Sequence, residues 1–273
     1  MNKREKFLAA HPYCAFCGGN APATTIEHCP PKALFQHKMW PEGFEFPACE
    51  SCNHGSRDQD ALVAMLARID PVDDALGNVD GRVPGLIKNV NSQFPKMARK
   101  MLPSAIEARK WNRAMGIAPG PGQTHQDVAP MTVPDEMHEA VCVFAAKLAK
   151  AVFFRHTESV FPADGTLILN WFTNVELVQH GKYPLFDLLV DLPGSATPLR
   201  AGGKYLDDQF QYKLSITPDK RMFAIQARFG TAFGLVLFGC TEPGVIEPLI
   251  EQLGAKYGKQ SFIVVQRSTT GPH

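Results

Sequence analysis

The sequence lacks any stretch that is long, apolar and uncharged enough to cross a membrane. Its most apolar helical run, Val141 to Phe154, is interrupted by Lys147 and Lys150. The opening MNKREKFLAAHPYCAF carries positive charge but not the apolar run of a secretion signal. An even set of cysteines suited to a disulfide framework is missing too: there are seven. These absences lead to the expectation of a soluble protein in a reducing cytoplasm, with no membrane partner. There is no internal repeat, no low-complexity tract and no strong excess of either charge. The net charge of +1 therefore says nothing about partners, and its distribution has to be read instead.

Hydrophobic residues make up 45% and charged residues 20%, a balance that allows packed cores over most of the length. The pattern divides into three. Residues 1–70 are rich in Cys, Pro and Gly and cannot build a sufficient core alone, so a metal staple is expected there. Towards their end, Leu62, Met65, Leu66 and Ile69 recur at helical spacing, and Pro71 is the stop. Residues 71–134 combine a helical segment, Leu86 to Met115, broken at Pro95 and Pro103, with a linker-like stretch from Ala118 to Glu136. Residues 135–273 read as an α+β unit. A helix is predicted from Asp135 to His156 and another from about Pro243 to Tyr257. Strands are predicted at Leu167–Val175, Leu185–Leu192, Phe210–Ile216, Met222–Phe229, Phe233–Phe238 and Phe262–Val265, with a turn at Pro218-Asp219-Lys220. The fold class expected for the whole chain is α+β.

Four of the seven cysteines form two C-x-x-C pairs, Cys14/Cys17 and Cys49/Cys52. Each tight turn points two thiolates at one metal, and two such turns supply the tetrahedral sulfur set of a structural Zn2+ site. Cys29, Cys142 and Cys240 are scattered and read as small buried apolar residues. Between the pairs lies Glu27-His28-Cys29-Pro30-Pro31-Lys32, and Asn53 follows Cys52 directly. His28 has a side chain suited to general-base work near neutral pH, whereas Glu27, its neighbour in an extended strand, points to the opposite side. Lys32 is a candidate for gripping phosphate.

A second basic feature lies in the middle. From Leu86 to Gly116 there are seven Lys or Arg, among them Lys96, Arg99 and Lys100, against one acid, Glu107. The cluster reads equally as a solvated helix face or as a surface for phosphate backbones. His37 and Lys38 read as solvated loop residues, and Trp40, Trp111 and Trp171 as core anchors. Gly202-Gly203-Lys204 lacks the rest of a phosphate loop.

In combination, Cys14-Ala-Phe-Cys17, Glu27-His28-Cys-Pro30-Pro31-Lys32-Ala-Leu-Phe35 and Pro47-Ala-Cys49-Glu-Ser-Cys52-Asn53, then Ser56 and Asp58, resemble the zinc-containing HNH endonucleases. The resemblance covers about 50 residues of the N-terminal segment. It implies a zinc-bound ββα-metal module and metal-dependent hydrolysis of nucleic acid, with DNA the expected form. His28 would activate water, and Glu27 and Asn53 would hold a catalytic Mg2+ or Mn2+. Lys32, with Lys96, Arg99 and Lys100, would hold the substrate backbone. The sequence departs from the family where Asp is the commoner residue at the Glu27 position, and it has no late His, so Asp58 or Asp60 could serve as ligand or as helix cap. One such site nicks a single strand, and cutting both needs a homodimer or two encounters. The alternative from another class is a zinc-stabilised binding or interaction module without hydrolytic activity.

Overall fold

A computed structural model describes residues 2–69, 80–175, 198–258 and 262–266. The chain is mixed helix and sheet, in line with the α+β expectation. A short helix α1 (Lys3–Ala10) begins at Asn2, whose side chain accepts from the Glu5 amide in a capping box. Arg4 ties it to the next segment by donating to the Thr24 carbonyl at 3.0 Å. Strands β1 (Thr25–His28) and β2 (Glu45–Ala48) pair antiparallel, with Glu27 opposite Phe46 and His28 opposite Glu45. Helices α2 (Glu50–His54) and α3 (Arg57–Arg68) follow directly.

The basic middle forms α4 (Val83–Gln93), α5 (Pro95–Met101) and α6 (Ala105–Ala114). The sequence placed the breaks at Pro95 and Pro103, and Pro95 indeed opens α5, because proline tolerates the first helical turn and not the interior. After α6, residues 115–134 contain no helix or strand, as the proline and glycine content led one to expect.

Helix α7 (Asp135–Thr157) is the backbone of the molecule. Thirteen of its residues are buried all round its circumference, because it lies between α3 on one side and a five-stranded sheet on the other. That sheet is antiparallel throughout, in the order β6 (Gln211–Ile216), β7 (Met222–Phe229), β8 (Phe233–Cys240), β3 (Thr166–Thr173), β9 (Ile263–Gln266). The central strand β8 is buried along its whole length. Its outer face is covered by α8 (Glu247–Tyr257), through Ile246 and Leu253. A small hairpin, β4 (Arg200–Ala201) and β5 (Lys204–Tyr205), was not foreseen, since two-residue strands carry no periodicity. The strand predicted over Leu185–Leu192 lies outside the described residues. Among the described residues no helix is long and apolar enough to cross a membrane.

The N-terminal segment shares its core with the rest. Phe44 packs edge-on against Phe210 and Tyr212, each at 5.9 Å, and Phe46 against Phe154 at 6.2 Å. Each such phenylalanine contributes roughly 1.5–3 kcal/mol by leaving water. Gly18, after the first cysteine pair, has φ +70°, and a Cβ there would lie 2.4 Å from the Ala163 amide nitrogen. Only glycine permits both the turn and that approach.

Candidate metal centre and the Glu27–His28 site

The hairpin and α2 bring the two cysteine pairs together. Ala15 donates to the Pro47 carbonyl at 2.9 Å, fastening the first turn to β2, and Cys49 caps α2 by accepting from the Cys52 amide at 3.4 Å. The four sulfurs of Cys14, Cys17, Cys49 and Cys52 lie within 4.8 Å of one another. A tetrahedral zinc with bonds of about 2.3 Å needs sulfurs roughly 3.8 Å apart, so a small contraction closes the shell. The donor set therefore fits a structural metal such as zinc. Their proton chemistry agrees with this. A hydrogen bond from Cys52 draws the Cys14 thiol down to about 4, and sharing that proton pushes Cys52 up. Burial, then the hydrogen bond with Cys14, pushes Cys17 up as well. Metal binding replaces these shared protons.

Glu27 and His28 take opposite faces of β1. His28, half-buried, faces Glu45 across the hairpin, Nε2 to Oε1 at 3.3 Å. Its ring meets Trp40 edge-on at 5.0 Å, and the Lys32 ammonium sits 3.4 Å from the centre of the same indole. Burial, and then the Lys32 charge, lowers the His28 pKa below its usual value against the opposing pull of Glu45. The ring is thus neutral at neutral pH and able to accept a proton. We expect NMR titration to place His28 below the ordinary histidine range of about 6.5. Lys32→Ala should move it up and Glu45→Gln further down. An unchanged pKa in both variants would contradict this placement.

Glu27 points inward and is only 6% exposed. Its Oε1 accepts from the Lys147 ammonium at 2.7 Å, which also donates to Ser56 Oγ at 2.6 Å and pairs with Asp60 Oδ2 at 3.2 Å. Ser56 in turn donates to Asp60 at 3.0 Å. Lys147, 7% exposed, thus sits in a cage of oxygens supplied by β1 and by the start of α3. Burial works against its charge, but Asp60 and Glu27 outweigh that and raise its pKa. Burial raises Glu27 and Asp60, because one ammonium cannot fully compensate two enclosed carboxylates. One turn further along α7, Lys150 donates to the Phe16 carbonyl at 2.8 Å, in the first cysteine turn. The two lysines that interrupt the apolar run of α7 therefore anchor that helix to the N-terminal segment.

Asn53 does not join Glu27. Its Nδ2 donates to Thr25 Oγ1 at 2.9 Å and to the Ile26 carbonyl at 3.3 Å, clamping α2 onto β1. Glu27, expected with Asn53 to hold Mg2+ or Mn2+, here faces the Lys147 ammonium, and the Asn53 amide is turned to the strand. Among the described residues, the four cysteines are the one group of three or more His, Cys, Asp or Glu side chains placed to hold a metal. Asp60, left open between ligand and cap by the sequence, is a Lys147 partner, whereas Asp58 and His54 are exposed. Lys96 and Arg99 are exposed on α5, and Lys100 pairs with Glu136 at 2.6 Å. Helix α4 packs on α3 and α5 on α4.

No protein-family model, curated protein or solved structure matches this chain. The residue that sequence reasoning missed is Lys147. Its one visible signal was a lysine at an otherwise apolar helical position, which reads as an interruption until its partners, 87 to 120 residues away, are known.

Proposed function

We propose that the chain is a zinc-stapled, HNH-type module joined to an α+β body, and that it binds the phosphate backbone of nucleic acid without hydrolysing it. The HNH reading is supported by the element order. A two-stranded antiparallel hairpin carries Glu27-His28, a helix follows directly, and two cysteine pairs, one before the hairpin and one after it, converge on one point. The observation that carries the non-hydrolytic part is the Lys147 ammonium between Glu27 and Asp60. A fixed ammonium supplies charge balance but neither the open coordination positions nor the acidified water of a divalent cation. Zinc, when bound to the cysteines, supplies folding energy and not a reaction step.

One specific observation favours the second reading, metal-dependent cleavage. His28 is half-buried, has its pKa lowered by burial and faces Glu45, which suits a general base. Supercoiled plasmid incubated with Mg2+ or Mn2+ separates the two readings. The parent is expected to retard the plasmid in a gel and to leave it supercoiled, and His28→Ala to behave alike. Nicking by the parent that needs the divalent cation and disappears in His28→Ala would establish the nuclease instead. A parent that neither retards nor nicks would remove nucleic acid from the account.

A further inference from the structure

Beside His28 opens a groove of about 580 Å³ that residues from three distant parts of the chain line together. Lys3 comes from α1, Lys38 and Trp40 from the loop between β1 and β2, and Lys204 from the β4–β5 hairpin. Glu42 and Glu45 are its two acids, and both are engaged. Glu45 faces His28, and Glu42 Oε1 accepts the Gly202 amide at 3.0 Å. The Glu42 amide returns a bond to the Arg200 carbonyl at 2.8 Å, so the hairpin is fastened to the loop by two bonds. The three lysines are exposed, and none has an ion-pair partner among the described residues.

Both walls hold conformations chosen for position and not for ease. Gly202 and Gly203 have φ +54° and +80°, the two positive values of a tight hairpin turn, and a Cβ on either would meet nothing. The turn sets Lys204 at the groove. On the other wall His37 and Lys38 stand at φ 54° and 55°, a left-handed pair that costs any residue with a Cβ. The His37 amide, donating to Asp80 Oδ2 at 2.6 Å, holds the first of them. The indole of Trp40, which lines the groove, contacts both the His28 ring and the Lys32 ammonium.

We infer that the β4–β5 hairpin and the Lys38–Trp40 loop are the two walls of a groove that takes the phosphate backbone of a nucleic-acid strand and leads it past His28. The inference rests on the nucleic-acid reading above and adds to it. It gives the C-terminal half a part in binding, and none of the groove's lining residues comes from the basic helices α4–α6. Three exposed lysines from separate elements outnumber the two carboxylates of one open channel, and match a line of phosphates, each of which needs a cation and not a shaped pocket.

The test is fluorescence anisotropy with a short labelled oligonucleotide, single-stranded and duplex, without added divalent cation, across a salt series. It compares the parent with Lys38→Ala/Lys204→Ala and with Lys96→Ala/Arg99→Ala. All four side chains are exposed, and zinc content checks that each variant is folded. The groove variant is expected to bind about tenfold more weakly at low salt, and the steepness of its salt dependence to fall by about one to two. The α5 variant should bind as the parent does. Parent-like binding by the groove variant, or a loss confined to the α5 variant, overturns the groove and leaves nucleic-acid binding standing. A parent that binds neither form of the oligonucleotide overturns the nucleic-acid reading itself.

Discussion

Replacing Cys49 with serine is expected to abolish zinc binding and to unfold the N-terminal hairpin. Elemental analysis should find one zinc per chain in the parent and none in the variant. Structural zinc contributes on the order of 10–16 kcal/mol to free-standing zinc-finger peptides. The effect here should be smaller, because Phe44 and Phe46 already pack against Phe210 and Phe154 and would resist unfolding without metal. It should still be large. Without the metal, four thiols crowd within 4.8 Å of one another. Each lost kcal/mol lowers the melting temperature of a chain this size by about 2–4 °C, so a fall well beyond 10 °C is expected. Hydrogen exchange should show the β1 and β2 amides losing protection first, while β7 and β8 stay protected. A variant that keeps its melting temperature would mean the cysteines are not a staple.

Lys147→Met is expected to have the second large effect, and one with a distinctive pH dependence. Methionine fills the volume but leaves Glu27 and Asp60 facing each other, buried and uncompensated. Breaking a buried pair on one side costs about 3–5 kcal/mol. The sign follows from burial, which raises both carboxyl pKa values above their unfolded values. The folded state then holds more protons than the unfolded one in that window, and stability falls as pH rises through it. Removing the ammonium widens the window. The deficit of the variant should therefore be greatest at neutral pH and shrink as pH is lowered towards the ordinary carboxylate range of about 4. Glu27→Gln on top of Lys147→Met should recover part of the loss, as a coupled pair requires. A pH-independent deficit would point to lost packing alone. Asp60 Oδ1 has no hydrogen-bond partner, so the emptied cage also has a spare ligand, and the variant should gain affinity for Mn2+.

The features that were legible in the sequence are those set by local chemistry. The cysteine pairs announced a metal by spacing, and α7, β7 and β8 followed from periodicity to within a few residues. The opposed faces of Glu27 and His28 followed from strand geometry alone. What could not be read is what comes from afar. Lys147 meets Glu27 across 120 residues of chain, and Lys204 comes beside Trp40 where the β4–β5 hairpin bonds to Glu42. Asn53 was read as a ligand because its place after Cys52 resembles the family motif, yet that place also sets its amide against β1. Gly202-Gly203-Lys204 was set aside as an incomplete phosphate loop. The residues lack that loop, but they build a turn that carries a lysine to a groove.

The central claim is that Lys147 occupies the place where a divalent cation would otherwise sit. Titrating Mn2+ into the zinc-loaded parent and into Lys147→Met, with bound Mn2+ read by electron paramagnetic resonance, tests it most directly. The account predicts no specific Mn2+ site in the parent and one site in the variant, lost again when Glu27→Gln is added. A saturable Mn2+ site in the parent that Glu27→Gln removes would contradict it, and would return the chain to the metal-dependent nucleases.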